Sequence, residues 1–345
     1  MSERSDDRQG EGHPGETMAK LKVVVTDLGY PNYDSERSQV KAIGGELHLA
    51  ECKSAEDVAK ATRDADGVLN RAAPVTASVI EAMGRCRVIA RYGIGVDNVD
   101  VKAATKKGIV VANVPGYCVE EVTDHTLALM LAAWRKVVSH DKAMRRGAWD
   151  ISFRDPVYRL RGRTLGLLGL GAIARRLVEK VAGFGFRVIA FDPFVSADAA
   201  RKLGVTLVDL DTLFRESDLL SVHAPATAET RHIVSGERLA EMKPTAVLVN
   251  TSRGPLVDEA ALVQALKAKQ IAAAALDVYE QEPPDRKGEL FQLDNAIVTD
   301  HAAWYSEDSL AELQRRCAAA VCAVLTGKRP ESPVNPEVLT QLGIK

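Results

Sequence analysis

The segment Gly169-Leu170-Gly171-Ala172-Ile173-Ala174 has the spacing Gly-x-Gly-x-x-Ala, between an apolar β-rich run and a helical pattern. These residue types suit the capture of a pyrophosphate. Gly169 permits a tight turn, Gly171 lets a phosphate approach the backbone, and Ala174 allows close packing of helix on strand. The first helical residues, Ala172 and Ile173, then offer free N–H groups and the positive end of the helix dipole. Glycines at strand ends often serve only a turn, so the next strand decides the reading. It ends at Asp192, 23 residues after Gly169. A carboxylate there accepts hydrogen bonds from both ribose hydroxyls and repels a 2′-phosphate. Pro193 and Phe194 follow, with no Arg to hold such a phosphate. The implied chemistry is dinucleotide binding, NAD in preference to NADP, with hydride transfer supplied by the cofactor.

That turn needs a parallel sheet behind it. Apolar runs at Leu21–Thr26, Gly67–Leu69, Val88–Ala90 and Ile109–Ala112 read as one set of strands. Thr164–Gly169, Val188–Phe191, Leu219–Val222, Ala246–Asn250, Ala273–Leu276 and Ala296–Thr299 read as a second. Helical patterns such as Ser54–Arg63, Thr76–Met83 and Glu259–Lys269, the last with Asp258 as N-cap, alternate with them. The alternation implies an α/β fold of two Rossmann-like, doubly wound domains. Between the sets, Val119–His140 reads as one long helix whose apolar surface is wider than a single stripe. It suits either an ordinary buried helix or packing against a second subunit.

Bulk properties bound the alternatives. The chain has 345 residues, 46% hydrophobic and 27% charged, with a formal net charge of −2, which suits a globular protein with a sizeable core and no nucleic-acid footprint. No apolar run reaches membrane-spanning length. Cys52, Cys86, Cys118, Cys317 and Cys322 show no CxxC spacing, so a disulfide framework or zinc site is not expected and a reducing cytoplasm is. Residues 1–17 are polar and read as a disordered extension, with Met18 an alternative start and His13 incidental. His48, His125, His140 and His232 have no partners at telling spacings and read as structural; no metal is expected.

Three further segments are similar to the D-isomer-specific 2-hydroxyacid dehydrogenase family. They are Val249-Asn250-Thr251-Ser252-Arg253-Gly254-Pro255-Leu256-Val257-Asp258, Ala275-Leu276-Asp277-Val278-Tyr279-Glu280-Gln281-Glu282-Pro283, and His301-Ala302-Ala303-Trp304-Tyr305-Ser306-Glu307. The last looks closest to the C-terminal-binding protein branch, which shares the Trp after His-Ala-Ala. The resemblance implies that Arg253, Glu282 and His301 form a catalytic set. The chemistry agrees: a 2-hydroxy acid needs a base for its hydroxyl proton and a cation for its carboxylate. His301 titrates in the right range, Glu282 orients the imidazole and raises its pKa, and Arg253 supplies a bidentate fork. The family usually has Pro before this His, whereas Asp300 stands here, and is expected to loosen the loop or perturb His301 electrostatically.

The resemblance also implies that Asp277 contacts the nicotinamide carboxamide, and that His223, Ala224, Pro225, Thr251 and Ser252 line the cofactor cleft. On the substrate side it implies Arg91, Gly93, Ile94 and Gly95, with Trp304 either an apolar wall or core. The substrate domain is then discontinuous, 18–118 and 303–345, around an NAD-binding domain at 119–302, with the active site in a cleft whose closure excludes water. A homodimer acting on a small 2-hydroxy or 2-keto acid is the resulting expectation, with no nucleic-acid or membrane partner. The alternatives are a dinucleotide-sensing corepressor of the C-terminal-binding type and a phosphoglycerate dehydrogenase.

Overall fold

The computed structural model describes residues 20–151 and 156–344. The expected disordered extension, with Met18 and His13, lies outside the described residues. The chain forms two compact units, Met1–Pro115 with Ala311–Lys345 and Gly116–Leu310. The exchange points thus lie at Pro115/Gly116 and Leu310/Ala311, against the expected 118/119 and 302/303.

Unit 1 alternates β1 (Leu21–Val25), α1 (Asp34–Ala42), β2 (Gly45–Leu49), α2 (Ala55–Thr62), β3 (Gly67–Asn70), α3 (Ala77–Ala82), β4 (Val88–Arg91), α4 (Val101–Lys107) and β5 (Val110–Ala112). The strands form a parallel sheet in the order β2-β1-β3-β4-β5. β3 is buried along its whole length, which is why it reads as a continuous apolar run. β2, whose alternate residues are exposed, was not anticipated from the sequence because Gly45-Glu46-Leu47-His48-Leu49 is short and half polar. Capping follows the residue types. Ser54 and Asp57 form a reciprocal box at α2, and Thr76 and Asp100 cap α3 and α4.

Unit 2 begins with α5 (Val119–Trp134) and α6 (Val137–Arg145). The single helix expected over Val119–His140 is therefore two. Lys136 adopts a left-handed φ of 56°, which stops the first helix and redirects the second. Then come β6 (Thr164–Leu168), α7 (Ala172–Lys180), β7 (Arg187–Phe191), α8 (Ala197–Lys202), β8 (Thr206–Leu207), α9 (Leu210–Glu216) and β9 (Leu219–Val222). The unit continues with α10 (Gly236–Glu241), β10 (Val247–Asn250), α11 (Glu259–Lys267), β11 (Ala273–Leu276) and β12 (Ala296–Val298). Its parallel sheet has the order β12-β11-β10-β9-β6-β7-β8. One face packs Leu129, Met130, Ala133 and Trp134 of α5 on Leu165, Leu167, Val249 and Ala275, and the other packs Leu220, Leu248 and Leu276 against Phe214, Leu239 and Leu262.

α12 (Glu307–Leu325) carries the chain back to unit 1, and α13 (Glu337–Gln341) follows. Within unit 1, a Cβ on Gly67 would lie 2.7 Å from Val321, so the glycine seats α12 directly on β3. Arg87 donates to the carbonyls of Val324 and Leu325 and caps the end of that helix. Asn335 accepts from Val111 N–H and donates to the Ile109 carbonyl, tying the returning chain to β5.

Candidate active site

The pairing register lines up Leu168, Val222, Asn250, Leu276 and Val298 in one row across unit 2. The segments leaving these positions carry every unit 2 residue expected at the site except Asp192, which follows the neighbouring β7. Parallel sheets present ligand sites at such carboxyl ends, beside the point where strand order reverses. Here that point is between β6 and β9.

Gly169 has φ 95°, and a Cβ there would lie 2.9 Å from Ala224 N and 3.0 Å from the His223 carbonyl carbon. Its glycine is thus required twice, by conformation and by close approach. Gly171 is the N-cap of α7, has no side-chain cap hydrogen bond, and a Cβ on it would meet nothing within 4 Å. The N–H groups of Ala172 and Ile173 thus begin a helix with open space before it. Asp192 follows β7, where Oδ2 accepts from Leu170 N–H at 2.8 Å and Oδ1 from Phe194 N–H at 2.9 Å. The carboxylate is held beside the glycine turn with lone pairs remaining. These features fit a dinucleotide. Burial pushes His223 down to about 4, so its imidazole is neutral; it bonds to Ser221 Oγ at 2.9 Å, and Ala224 and the exposed Pro225 complete that wall.

The β10 loop is built by a residue whose role the sequence reading missed. Asn250 is buried; its amide donates to the Arg253 carbonyl at 2.9 Å and accepts from Ser252 N–H at 3.0 Å, wrapping the turn of Thr251 to Arg253. Ser252 Oγ reaches the Ala224 carbonyl at 2.7 Å, tying this loop to the β9 loop. Arg253 donates to the Ser252 carbonyl at 2.8 Å. A Cβ on Gly254 would lie 1.7 Å from the Tyr279 carbonyl oxygen. Only glycine lets the Arg253 loop abut the Glu282 loop.

His301 Nδ1 lies 2.7 Å from Glu282 Oε2, and Glu282 Oε1 accepts from Tyr279 N–H at 3.0 Å. Among the described residues His301 Nε2 makes no hydrogen bond, which leaves that nitrogen open to a further partner. Burial alone would raise the Glu282 carboxyl. The bond to His301, the His301 charge, the Tyr279 N–H and the Arg253 charge together hold it below its usual range. His301 has φ 57°, a conformation costing on the order of 1 kcal/mol for a non-glycine residue.

Asp277 holds that conformation. Its buried carboxylate accepts from Thr299 Oγ1 at 2.5 Å, from Ala302 N–H at 2.9 Å and from Ala303 N–H at 2.9 Å, while its carbonyl accepts from His301 N–H at 2.9 Å. Its observed task is to shape the His301 loop; a carboxamide contact would have to share oxygens already engaged. Burial and then the Asp277 charge push the Tyr279 phenol up, and its hydroxyl donates to the Thr299 carbonyl at 2.6 Å. Asp300 is exposed, so the substitution of the usual Pro adds no buried charge to the loop. Trp304 packs against Tyr117 and edge-on against Tyr305, ring centroids 6.3 and 5.6 Å away. His125, read from the sequence as structural, reaches Thr299 and Asp277 from α5. No sequence spacing signals this, because α5 and β12 meet only in the fold.

In unit 1, Arg91 ends β4 and Gly93, Ile94 and Gly95 follow it. Gly93 has φ 140°, and its missing Cβ leaves room for the Arg91 guanidinium. Among the described residues no group of three or more His, Cys, Asp or Glu could hold a metal, and no helix is long and apolar enough to cross a membrane.

Comparison with known proteins places the fold in a family. Residues 127–303 match the model of the D-isomer specific 2-hydroxyacid dehydrogenase, NAD binding domain. The chain belongs to the D-isomer specific 2-hydroxyacid dehydrogenase family. A glyoxylate reductase from Korarchaeum cryptofilum is 42% identical over 77% of this chain and 81% of its own length. A D-3-phosphoglycerate dehydrogenase from Methanocaldococcus jannaschii is 39% identical over 91% of this chain, which spans only 59% of that protein. A Thermus thermophilus protein of known crystal structure superposes with a TM-score of 0.83 at 33% identity, over 91% of this dehydrogenase and all (100%) of that chain.

Proposed function

We propose that this dehydrogenase interconverts a small D-2-hydroxy acid and its 2-keto acid, with Arg253, Glu282 and His301 as its catalytic residues. Bound NADH supplies the hydride for C2. His301 Nε2 gives its proton to the carbonyl oxygen in reduction and takes it back in oxidation. Glu282 fixes the imidazole through Nδ1. Arg253 holds the substrate carboxylate with a planar fork. The 2.7 Å His301–Glu282 pair, beside a loop that only Gly254 allows to approach, carries the reading. Asp192 supports NAD over NADP. We assign substrate recognition in unit 1 to Arg91 and the backbone of Gly93, Ile94 and Gly95.

The test is NADH-dependent reduction of glyoxylate, pyruvate, hydroxypyruvate and 3-phosphohydroxypyruvate. Arg253→Ala should lower kcat/KM on the best of these roughly 10²- to 10³-fold, with NADH affinity within a few-fold of wild type. Wild-type turnover by Arg253→Ala would remove the assignment. Tight NADH binding without turnover of any of the four acids would favour instead a dinucleotide-dependent binding protein of the C-terminal-binding type, to which Trp304 gives a resemblance.

A second reading of the substrate is favoured by Arg71. Its guanidinium lies over the Tyr30 ring at 5.7 Å and makes no hydrogen bond or ion pair among the described residues. It follows β3, beside β1, where the strand order of unit 1 reverses. A cation so placed suits a second anionic group on the substrate, as in a phosphorylated hydroxy acid.

The chain also has a face suited to a second copy of itself. Val137, Met144, Trp149 and Ile151 are 55%, 50%, 88% and 71% exposed. They alternate in sequence with Lys136, Val138, Ala143 and Asp150, which line a groove of about 810 Å³ together with Trp134, Tyr158, Leu266 and Ile297. Contiguous exposed apolar side chains mark association surfaces. Sedimentation should give a homodimer, and Trp149→Asp should shift it toward monomer. A wild-type monomer at micromolar concentration would refute this. None of the five cysteines is in a disulfide, which supports a reducing compartment such as the cytoplasm.

A further inference from the structure

The segment that carries His301 is held by the loop after β11 and by helix α5, and the helix contributes a side chain that the chemistry above does not use. Glu121 and His125 lie four residues apart on α5, hence on one face. Glu121 Oε1 accepts from Ser306 Oγ at 2.8 Å. His125 Nε2 lies 3.1 Å from Thr299 Oγ1 and 3.6 Å from Asp277 Oδ1. Just before the helix, Tyr117 packs its ring against Trp304. These contacts grip the segment 299–306 on both sides of His301. The next residue on the helix, Thr126, meets Thr251 hydroxyl to hydroxyl at 2.7 Å, touching the Arg253 loop as well.

The proton inventory gives His125 a direction. The Thr299 hydroxyl has one proton, and it goes to Asp277 Oδ1 at 2.5 Å. Thr299 can therefore only accept from His125, so Nε2 carries a proton and donates. Asp277 then receives Thr299 on one side and the N–H groups of Ala302 and Ala303 on the other. Its carboxylate is only 1% exposed, and in such dry surroundings each partner counts for more than it would in water. The His301 backbone, at φ 57°, depends on this hub.

We propose that α5 is a splint for the proton-donating histidine, and that His125 is a positioning residue acting on His301 through Thr299 and Asp277. The proposal rests on the reading of His301 as the proton donor. Its chemistry is mechanical rather than covalent: His125 keeps Thr299 turned to Asp277, and Asp277 keeps the His301 loop in a conformation it would otherwise leave. A displacement of about an ångström at a reacting group costs up to roughly a hundredfold in rate.

The test uses the full chain and its best acceptor among glyoxylate, pyruvate, hydroxypyruvate and 3-phosphohydroxypyruvate. His125→Ala should lower kcat roughly ten- to a hundredfold while NADH affinity stays within about twofold. His125→Gln, which returns a donor near the Nε2 position, should restore most of the loss. Combined with His301→Ala, His125→Ala should add almost nothing, because its effect passes through His301. Independently of turnover, hydrogen–deuterium exchange over 299–306 should accelerate in His125→Ala and return in His125→Gln. Wild-type kcat and exchange in His125→Ala, or a full additive loss in the double variant, would overturn the splint while leaving His301 as donor. Wild-type turnover by His301→Ala would instead overturn the catalytic reading, and the proposal with it.

Discussion

The carboxyl ends of the two sheets differ in the charged side chains they leave unengaged. In unit 2 the loops after β9 and β10 are bonded through Ser252, those after β11 and β12 through Tyr279, Asp277 and Thr299, and the loops after β10 and β11 abut at Gly254. Unit 1 also joins its loops, through Asp27 after β1 and through Asn98, which donates to Asn70 Oδ1 and the Ala73 carbonyl, but it leaves one guanidinium without a hydrogen bond or ion pair among the described residues. Asp27 accepts from the N–H groups of Arg71, Ala72 and Ala73 at 2.9, 2.5 and 3.1 Å. The Arg71 side chain itself rests on Tyr30 and against Gly29. The contrast fits the roles proposed for the two ends. Proton transfer requires fixed geometry and tolerates little slack. A cation that recognises an anion gains most when the anion supplies its missing partner.

The wiring of unit 2 is most exposed to attack at Gly254. Gly254→Ala would drive a methyl into the Tyr279 carbonyl, where no side chain can move aside. It should cost about 1–3 kcal/mol or more in stability and reduce turnover more than a hundredfold, since it separates Arg253 from Glu282. Thermal unfolding and steady-state kinetics check both. A soluble, wild-type-like Gly254→Ala enzyme would show that the two loops need not touch.

Glu282→Gln is the gentler cut. It keeps an acceptor for His301 Nδ1 but removes the charge, and should lower kcat for reduction roughly ten- to a hundredfold. The pH profile carries the sign. The wild-type carboxyl is held below its ordinary value, so the ion pair is intact above the ordinary carboxylate range and lost as pH falls through the lowered value. Wild-type reduction should therefore persist into mildly acidic solution and decline below it. The variant, which has no carboxyl to protonate there, should lose that acid limb. Superimposable profiles would break the pairing.

The smallest effect is expected in unit 1 and should depend on the substrate. Arg71→Ala should raise KM for 3-phosphohydroxypyruvate about tenfold and leave KM for glyoxylate within about twofold, since only the first has a distal anion. Equal changes for both acids would reduce Arg71 to a structural cation and erase much of the contrast between the sheets.

Much of this was legible before any fold was known, and the legible parts share a cause. Gly169, Gly171, Ala174 and Asp192 act within one β-α-β unit, where chain spacing and spatial spacing are nearly the same quantity. The strands of both sheets could be read as apolar runs because they are buried on both faces. Less periodic pieces escaped. β8 has two residues, and the break at Lys136 depends on one dihedral angle rather than on a helix-breaking residue type.

By itself, then, the sequence determined an α/β chain with a dinucleotide turn, and it carried the three segments in which Arg253, Glu282 and His301 stand. Only the tertiary structure decided how these segments serve each other. The register that sets Asn250 beside Leu276 and Leu276 beside Val298 starts their loops at a common level. Once the loops are side by side, Gly254 is a contact rather than a hinge, Asp277 becomes the buried hub of the His301 loop, and His125 acquires partners far from it in the chain. Hydrogen bonds and van der Waals contacts act over a few ångströms of space. Along the sequence, those ångströms are invisible until the strands have paired.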